Sequence, residues 1–111
     1  MTKKSKDIVI TTALRTAIGK YEGIWKKFEA HDLGAAVIKK ILNKSKIEAK
    51  SIDEVIMGQV LTGETGQNPA RQAAINSGIP KEKTGYLINQ VCGSGLRAIV
   101  AGYQSILLGD A

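Results

Sequence analysis

The first segment with a clear hydropathy pattern is Ile8 to Thr12, "IVITT", a β-branched run that predicts a short strand. The stretch "LRTAIGKYEG" then loses the pattern and reads as a loop punctuated by Gly19 and Gly23. From Asp32 the period becomes helical. Leu33, Val37 and Ile41, with Ala36, Ile38 and Leu42 beside them, form one apolar stripe, and Lys39 and Lys40 fall on the other side. Asn43-Lys44-Ser45 ends the stripe, and Ile47 to Ser51 has the pattern of one further helical turn. Asp53 to Leu61, "DEVIMGQVL", is apolar through its middle, as suits a strand covered on both faces in a parallel sheet.

A glycine-containing loop, "TGETGQN", leads to Asn68-Pro69, an N-cap followed by a proline at the first helical position, where its missing N–H costs nothing. That helix is expected to run to about Ser77, with Gly78 and Pro80 as its stop. A third short strand, about Tyr86 to Asn89, precedes a final helix from about Gly93 to Leu108, closed by Gly109. The order β-α-β-α-β-α implies an α/β layered fold with parallel strands, taken as one domain over residues 1–111. The last helix is apolar on nearly every side, from Leu96 through Ile99, Val100 and Tyr103 to Leu108. Such a helix is expected to be buried all round. Three strands and two other helices are too few to cover it, so the layered fold is expected to be incomplete.

Composition narrows the class. At 111 residues, 43% hydrophobic and 23% charged, the chain fits one small globular domain. The formal charge of +6 comes from lysines scattered in pairs without interleaved aromatics, which reads as a solvated lysine-rich surface, with attraction of a phosphorylated ligand the weaker reading. Neither nucleic acid nor membrane is expected as a partner. The apolar segment Leu96 to Leu108 is broken by Arg97 and Gln104 and is short for a bilayer. "MTKKSKDIVITT" has no sustained apolar run after its lysines, so a cytoplasmic location is expected. No C-x-x-C pair or histidine cluster suggests a metal.

Candidate chemistry centres on "INQVCGSGLRAIVAG", which holds the single cysteine, Cys92. A free cysteine is most often a small buried hydrophobe. Its place at a strand-to-helix junction argues otherwise, because there a nucleophile is exposed at the sheet end and the first helical amides face it. Gly93 and Gly95 are expected to let the backbone turn sharply and a substrate approach. An ordinary thiol titrates near 8.5, and bringing it to about 7 takes roughly 2 kcal/mol of thiolate stabilisation. A helix N-terminus typically supplies about 0.3–1 kcal/mol, so a second activating group, naturally a histidine, is needed. The only histidine, His31, reads as a solvent-facing or capping-region residue. Asn68 reads as a cap, Arg71 and Gln72 as covers for nearby backbone, and Asp53 and Glu54 as solvated residues opening a strand.

The segment "NQVCGSGLRA" resembles the N-terminal active-site block of the thiolases, the acetyl-CoA acetyltransferase family. "VIMGQV" with "GQNPARQAA", "RTAIGK" and "AHDLGAAVIKKIL" are similar to three further blocks of that family, in its order and spacing across essentially the whole chain. The resemblance implies an acyltransferase that condenses two acetyl-CoA molecules to acetoacetyl-CoA and CoA, or runs the reverse thiolysis. Cys92 would then be the nucleophile that carries the acyl group as a thioester, with its backbone N–H at the oxyanion, and Gly93, Ser94 and Gly95 would support the loop. Coenzyme A thioesters would be the substrates, with no metal or redox cofactor, and the full-length parent a homodimer or homotetramer. The family's second half, with the activating histidine and a second cysteine, has no counterpart here, so an N-terminal piece without turnover of its own is expected. A 3-ketoacyl-CoA thiolase of fatty-acid degradation, and a non-enzymatic truncated or assembly fragment, are the alternatives.

Overall fold

The computed structural model describes residues 7–111. Its elements are α1 (Ala30–Ser45), a 3₁₀ turn (Ala49–Ser51), β1 (Glu54–Gly58), α2 (Pro69–Asn76), β2 (Thr84–Ile88) and α3 (Ser94–Leu108). β1 and β2 pair in parallel, with Glu54 opposite Thr84 and Gly58 opposite Ile88, so α2 is the crossover of a βαβ unit.

Alternation along β1 sorts the layers. Val55 and Met57 face the side of α1 and α2, where Val55, Ala74 and Ile79 form the buried centre and Ile38, Leu42 and Ile52 pack around it. Glu54, Ile56 and Gly58 face α3: Ser105 Oγ donates to Glu54 Oε2 at 2.7 Å, and Gly102 lies over the tip of Ile56. Two helices therefore cover one face of the sheet and one helix the other. Close packing of α1 on α2 depends on small residues, since a Cβ at Gly34 would come within 3.3 Å of Ala73 Cβ and 3.1 Å of Met57 Cε.

Local signals explain the helix ends. Asn68 Oδ1 accepts from the Arg71 amide at 3.1 Å, and Pro69 follows at N1. At the other end of α2, Gly78 (φ +94°) and Ile79 return hydrogen bonds to Ile75 O and Ala74 O, a Schellman closure whose apolar partner, Ile79, enters the core. Gly109 (φ +86°) closes α3 in the same way, with Asp110 N donating to Ser105 O at 2.9 Å.

Two expectations are corrected. Ile8–Thr12 joins no ladder among the described residues, and Val9 and Ile10 are 71% and 77% exposed. β-Propensity does not supply hydrogen bonds; a strand needs a neighbour, and among the described residues β1 and β2 pair only with each other. The segment instead forms one wall of an apolar groove whose other wall is α3, at Ile99, Tyr103 and Ile106. Nor is α3 buried all round: only Ser94 and Ala98 are, while Leu96, Ile99 and Leu108 are exposed. The shortage of covering elements expected from the sequence is what these residues show. Val91–Leu108 is apolar enough to cross a membrane by length and composition alone. Its first three residues are a tight turn, however, and the helix proper has 15 residues. At 1.5 Å per residue that is about 22 Å, short of a hydrocarbon core of about 30 Å.

Candidate active site

Cys92 sits between β2 and α3 at the carboxyl end of the parallel sheet, and it is exposed. Open α/β sheets place their ligand sites at this edge. The turn that carries the thiol is built from four side-chain hydrogen bonds. Asn89 Oδ1 accepts from Val91 N at 2.9 Å, and Asn89 Nδ2 donates to Val60 O at 3.0 Å, across to the segment that leaves β1. Ser94 Oγ accepts from Gln90 N at 2.8 Å and donates to Val91 O at 2.6 Å. Backbone bonds from Gly93 N to Gln90 O and from Ser94 N to Val91 O tighten the same turn.

The conformational cost falls on Val91, which holds φ at +51°. For a β-branched residue this left-handed conformation is a genuine outlier, worth roughly 1–3 kcal/mol of strain. Gly93 and Gly95, expected to make the sharp turn, do not: Gly93 has φ −87° and neither is among the positive-φ residues. A Cβ at Gly95 would meet nothing within 4 Å, so what that glycine leaves is open surface beside the thiol. The Ser94 hydroxyl bonds at two points within the loop.

α3 begins without a side-chain cap on Gly93. The hydrogen bonds of the turn use the amides of Gln90, Val91, Gly93 and Ser94 and leave that of Cys92 without a partner among the described residues. An unengaged N–H beside an exposed thiol, at the positive end of a helix, suits the negative charge that develops on a carbonyl oxygen under attack.

Gly58 seats this turn on the sheet. A Cβ there would lie 2.4 Å from Ser94 C and 2.5 Å from Gly95 N, so the first turn of α3 rests directly on the backbone end of β1. Sequence reasoning missed Gly58, Val91 and Asn89. Asn89 alone carried a local signal, since an asparagine at the head of a short turn bonds its own backbone two residues on.

Among the described residues, none of the other polar side chains hydrogen-bonds to the thiol. His31 lies in the first turn of α1, within the expected capping region, but its side chain is only 15% exposed rather than solvent-facing. Its Nε2 is 3.6 Å from Asp32 Oδ1, Nδ1 is buried without a partner, and no hydrogen bond joins it to Cys92. Arg71 donates to the carbonyls of Lys81 and Lys83, and Gln72 to those of Thr65 and Gln67, so both cover backbone as expected. Asp53 is exposed, 3.7 Å from Lys83 Nζ. Glu54, expected to be solvated, is half-buried against α3 by its bond to Ser105, a partner too distant in sequence to anticipate.

Known proteins similar to this chain point to one family. Residues 8–111 match the family model "Thiolase, N-terminal domain". Over 104 residues the chain is 55% identical to the acetyl-CoA acetyltransferase of Rhizobium meliloti, covering 94% of this chain and 26% of that protein. The crystal structure of the Bacillus anthracis acetyl-CoA acetyltransferase superposes with a TM-score of 0.88 at 35% identity, over 93% of this chain and 26% of the other. The Acat5 thiolase from Ascaris suum, crystallised with coenzyme A, gives 0.84 at 40% identity, over 86% and 25%. The chain thus spans about a quarter of the length of the relatives it matches.

Proposed function

Because this chain belongs to the thiolase family, we propose that the complete protein transfers acyl groups between coenzyme A thioesters through a thioester on Cys92. The observation that carries this reading is the exposed Cys92 thiol with an unengaged amide on an uncapped helix start. In the first half-reaction the Cys92 sulfur attacks the carbonyl carbon of acetyl-CoA, and the Cys92 amide donates to the oxygen as it gains charge. The carbon–sulfur bond to CoA breaks, and CoA leaves with the proton that the cysteine gave up. In the second, the α-carbon of another acetyl-CoA, having lost a proton, attacks the acyl-cysteine. A carbon–carbon bond forms, acetoacetyl-CoA departs and the Cys92 thiol is restored. Both halves balance with acyl and proton transfer alone, so no redox cofactor enters the proposal.

The described residues supply the nucleophile, the oxyanion donor and their seat. They do not supply the proton carriers: His31 is held beside Asp32 in α1, without a bond to Cys92. The histidine and the α-carbon base are therefore assigned to the remaining three-quarters of a polypeptide of the relatives' length. The 111-residue chain alone is expected to show no turnover of acetoacetyl-CoA.

Incubating the complete polypeptide with radiolabelled acetyl-CoA tests the reading. A hydroxylamine-labile label on the peptide containing Cys92, absent from Cys92→Ala, is the expected result. Label retained by Cys92→Ala, or found on another residue, overturns it.

A further inference from the structure

We propose that Asn89 is a positioning residue for the chemistry at Cys92, acting through the left-handed Val91; the proposal rests on Cys92 being the nucleophile. Val91 is the only residue between Gln90 and the thiol, so its dihedral angles decide where Cys92 points. Left-handed valine does not persist unless its surroundings over-determine it. Asn89 supplies that constraint from two sides. Its Oδ1 fixes the Val91 amide at 2.9 Å, and its Nδ2 anchors the same side chain to Val60 O at 3.0 Å. The turn is thereby tied to the exit of β1, the strand whose end, at Gly58, carries the first turn of α3. Ser94 completes the constraint on the Val91 carbonyl at 2.6 Å. Without Asn89, the Val91 amide loses its partner, Val91 keeps only the bonds that Ser94 makes to its carbonyl, and the turn loses its tie to the neighbouring segment. A relaxed Val91 swings both the thiol and the Cys92 amide away from their shared substrate carbonyl, and a misplacement of about 1 Å can cost on the order of a hundredfold in rate.

A purely structural asparagine would behave differently, because removing it would lower the folded fraction without changing turnover per folded molecule. The test uses the complete polypeptide with acetoacetyl-CoA and CoA, measuring kcat, KM and the unfolding midpoint. Asn89→Ala is expected to lower kcat by at least about tenfold while KM stays within about twofold. Adding Val91→Gly, which adopts positive φ without steric cost, is expected to recover most of that kcat. Wild-type kcat in Asn89→Ala, or a double variant no faster than the single one, overturns the proposal. If Asn89→Ala does not fold, Asn89→Ser carries the comparison: its hydroxyl still accepts from the Val91 amide but the amide donor to Val60 O is gone, so a loss of about threefold to tenfold in kcat at unchanged KM is expected, and wild-type kcat overturns the proposal. Cys92→Ala run alongside separates the two ideas: acetyl label persisting there sinks the nucleophile, whereas label lost there with full turnover in Asn89→Ala sinks only the positioning role.

Discussion

Two strand-to-helix junctions leave the same edge of the sheet, and each turns on an asparagine. In the first, from β1 to α2, Asn68 Oδ1 caps the helix through the Arg71 amide while Nδ2 donates to Gly85 O. In the second, from β2 to α3, Asn89 Oδ1 takes the Val91 amide while Nδ2 donates to Val60 O. Each asparagine holds local backbone with one atom and a neighbouring segment with the other. They differ in what they leave free. Asn68 uses up the start of its helix, and α2 is sealed further by Arg71 and Gln72. Asn89 acts before its helix begins, so α3 starts uncapped beside an exposed sulfur. The same residue type serves stability at one junction and leaves room for chemistry at the other, and the difference is where in the turn it sits.

The sharpest break between the junctions is chemical. Cys92→Ala is expected to abolish acyl-enzyme formation outright, whereas no single change in the Gln59–Asn68 junction should do so, as label incorporation will show. Next in size is Gly58→Ala. Its new methyl would fall 2.4–2.6 Å from backbone atoms of Ser94 and Gly95, which cannot yield as a flexible side chain would. A loss of about 1–3 kcal/mol in chemical denaturation is expected, together with slower acylation of Cys92. Gly63→Ala, in the other junction, meets nothing within 4 Å and should change neither quantity.

Smaller again is Asn68→Ala, expected to cost about 1–2 kcal/mol on unfolding while kcat per folded molecule is kept. Because Asn68 holds φ +39°, Asn68→Gly should recover part of that loss; a glycine variant less stable than the alanine one would contradict the capping account. Least of all, Ser105→Ala removes the donor to Glu54 and should lower stability by about 1 kcal/mol, since the carboxylate is only half-buried and water can replace the hydroxyl.

What could be read in advance follows the range of the forces involved. The stripe from Leu33 to Ile41, the Asn68-Pro69 start and the stops at Gly78 and Gly109 are local signals, and each element lies within a few residues of its expected place. The parallel sheet followed from the apolar middle of "DEVIMGQVL". The expected strand at Ile8–Thr12 depended on a neighbour, which no property of those residues could supply. Within the site, the position of Cys92 was legible and the origin of its turn was not. Glycines advertise unusual backbone angles, and two of them flank the thiol; the residue that bears the strain is a valine, a type that gives no such sign. Gly58 and the Glu54–Ser105 bond act across long sequence separations, where periodicity says nothing.

The contact between Gly58 and the first turn of α3 has one more consequence. A synthetic peptide spanning Ile88 to Gly102 would own the sulfur and every atom of its immediate loop, yet lack the platform on which that loop rests. The reactivity proposed for residue 92 would thus wait until the two distant stretches have met, and a nascent chain still threading out of the ribosome has a thiol but no aim.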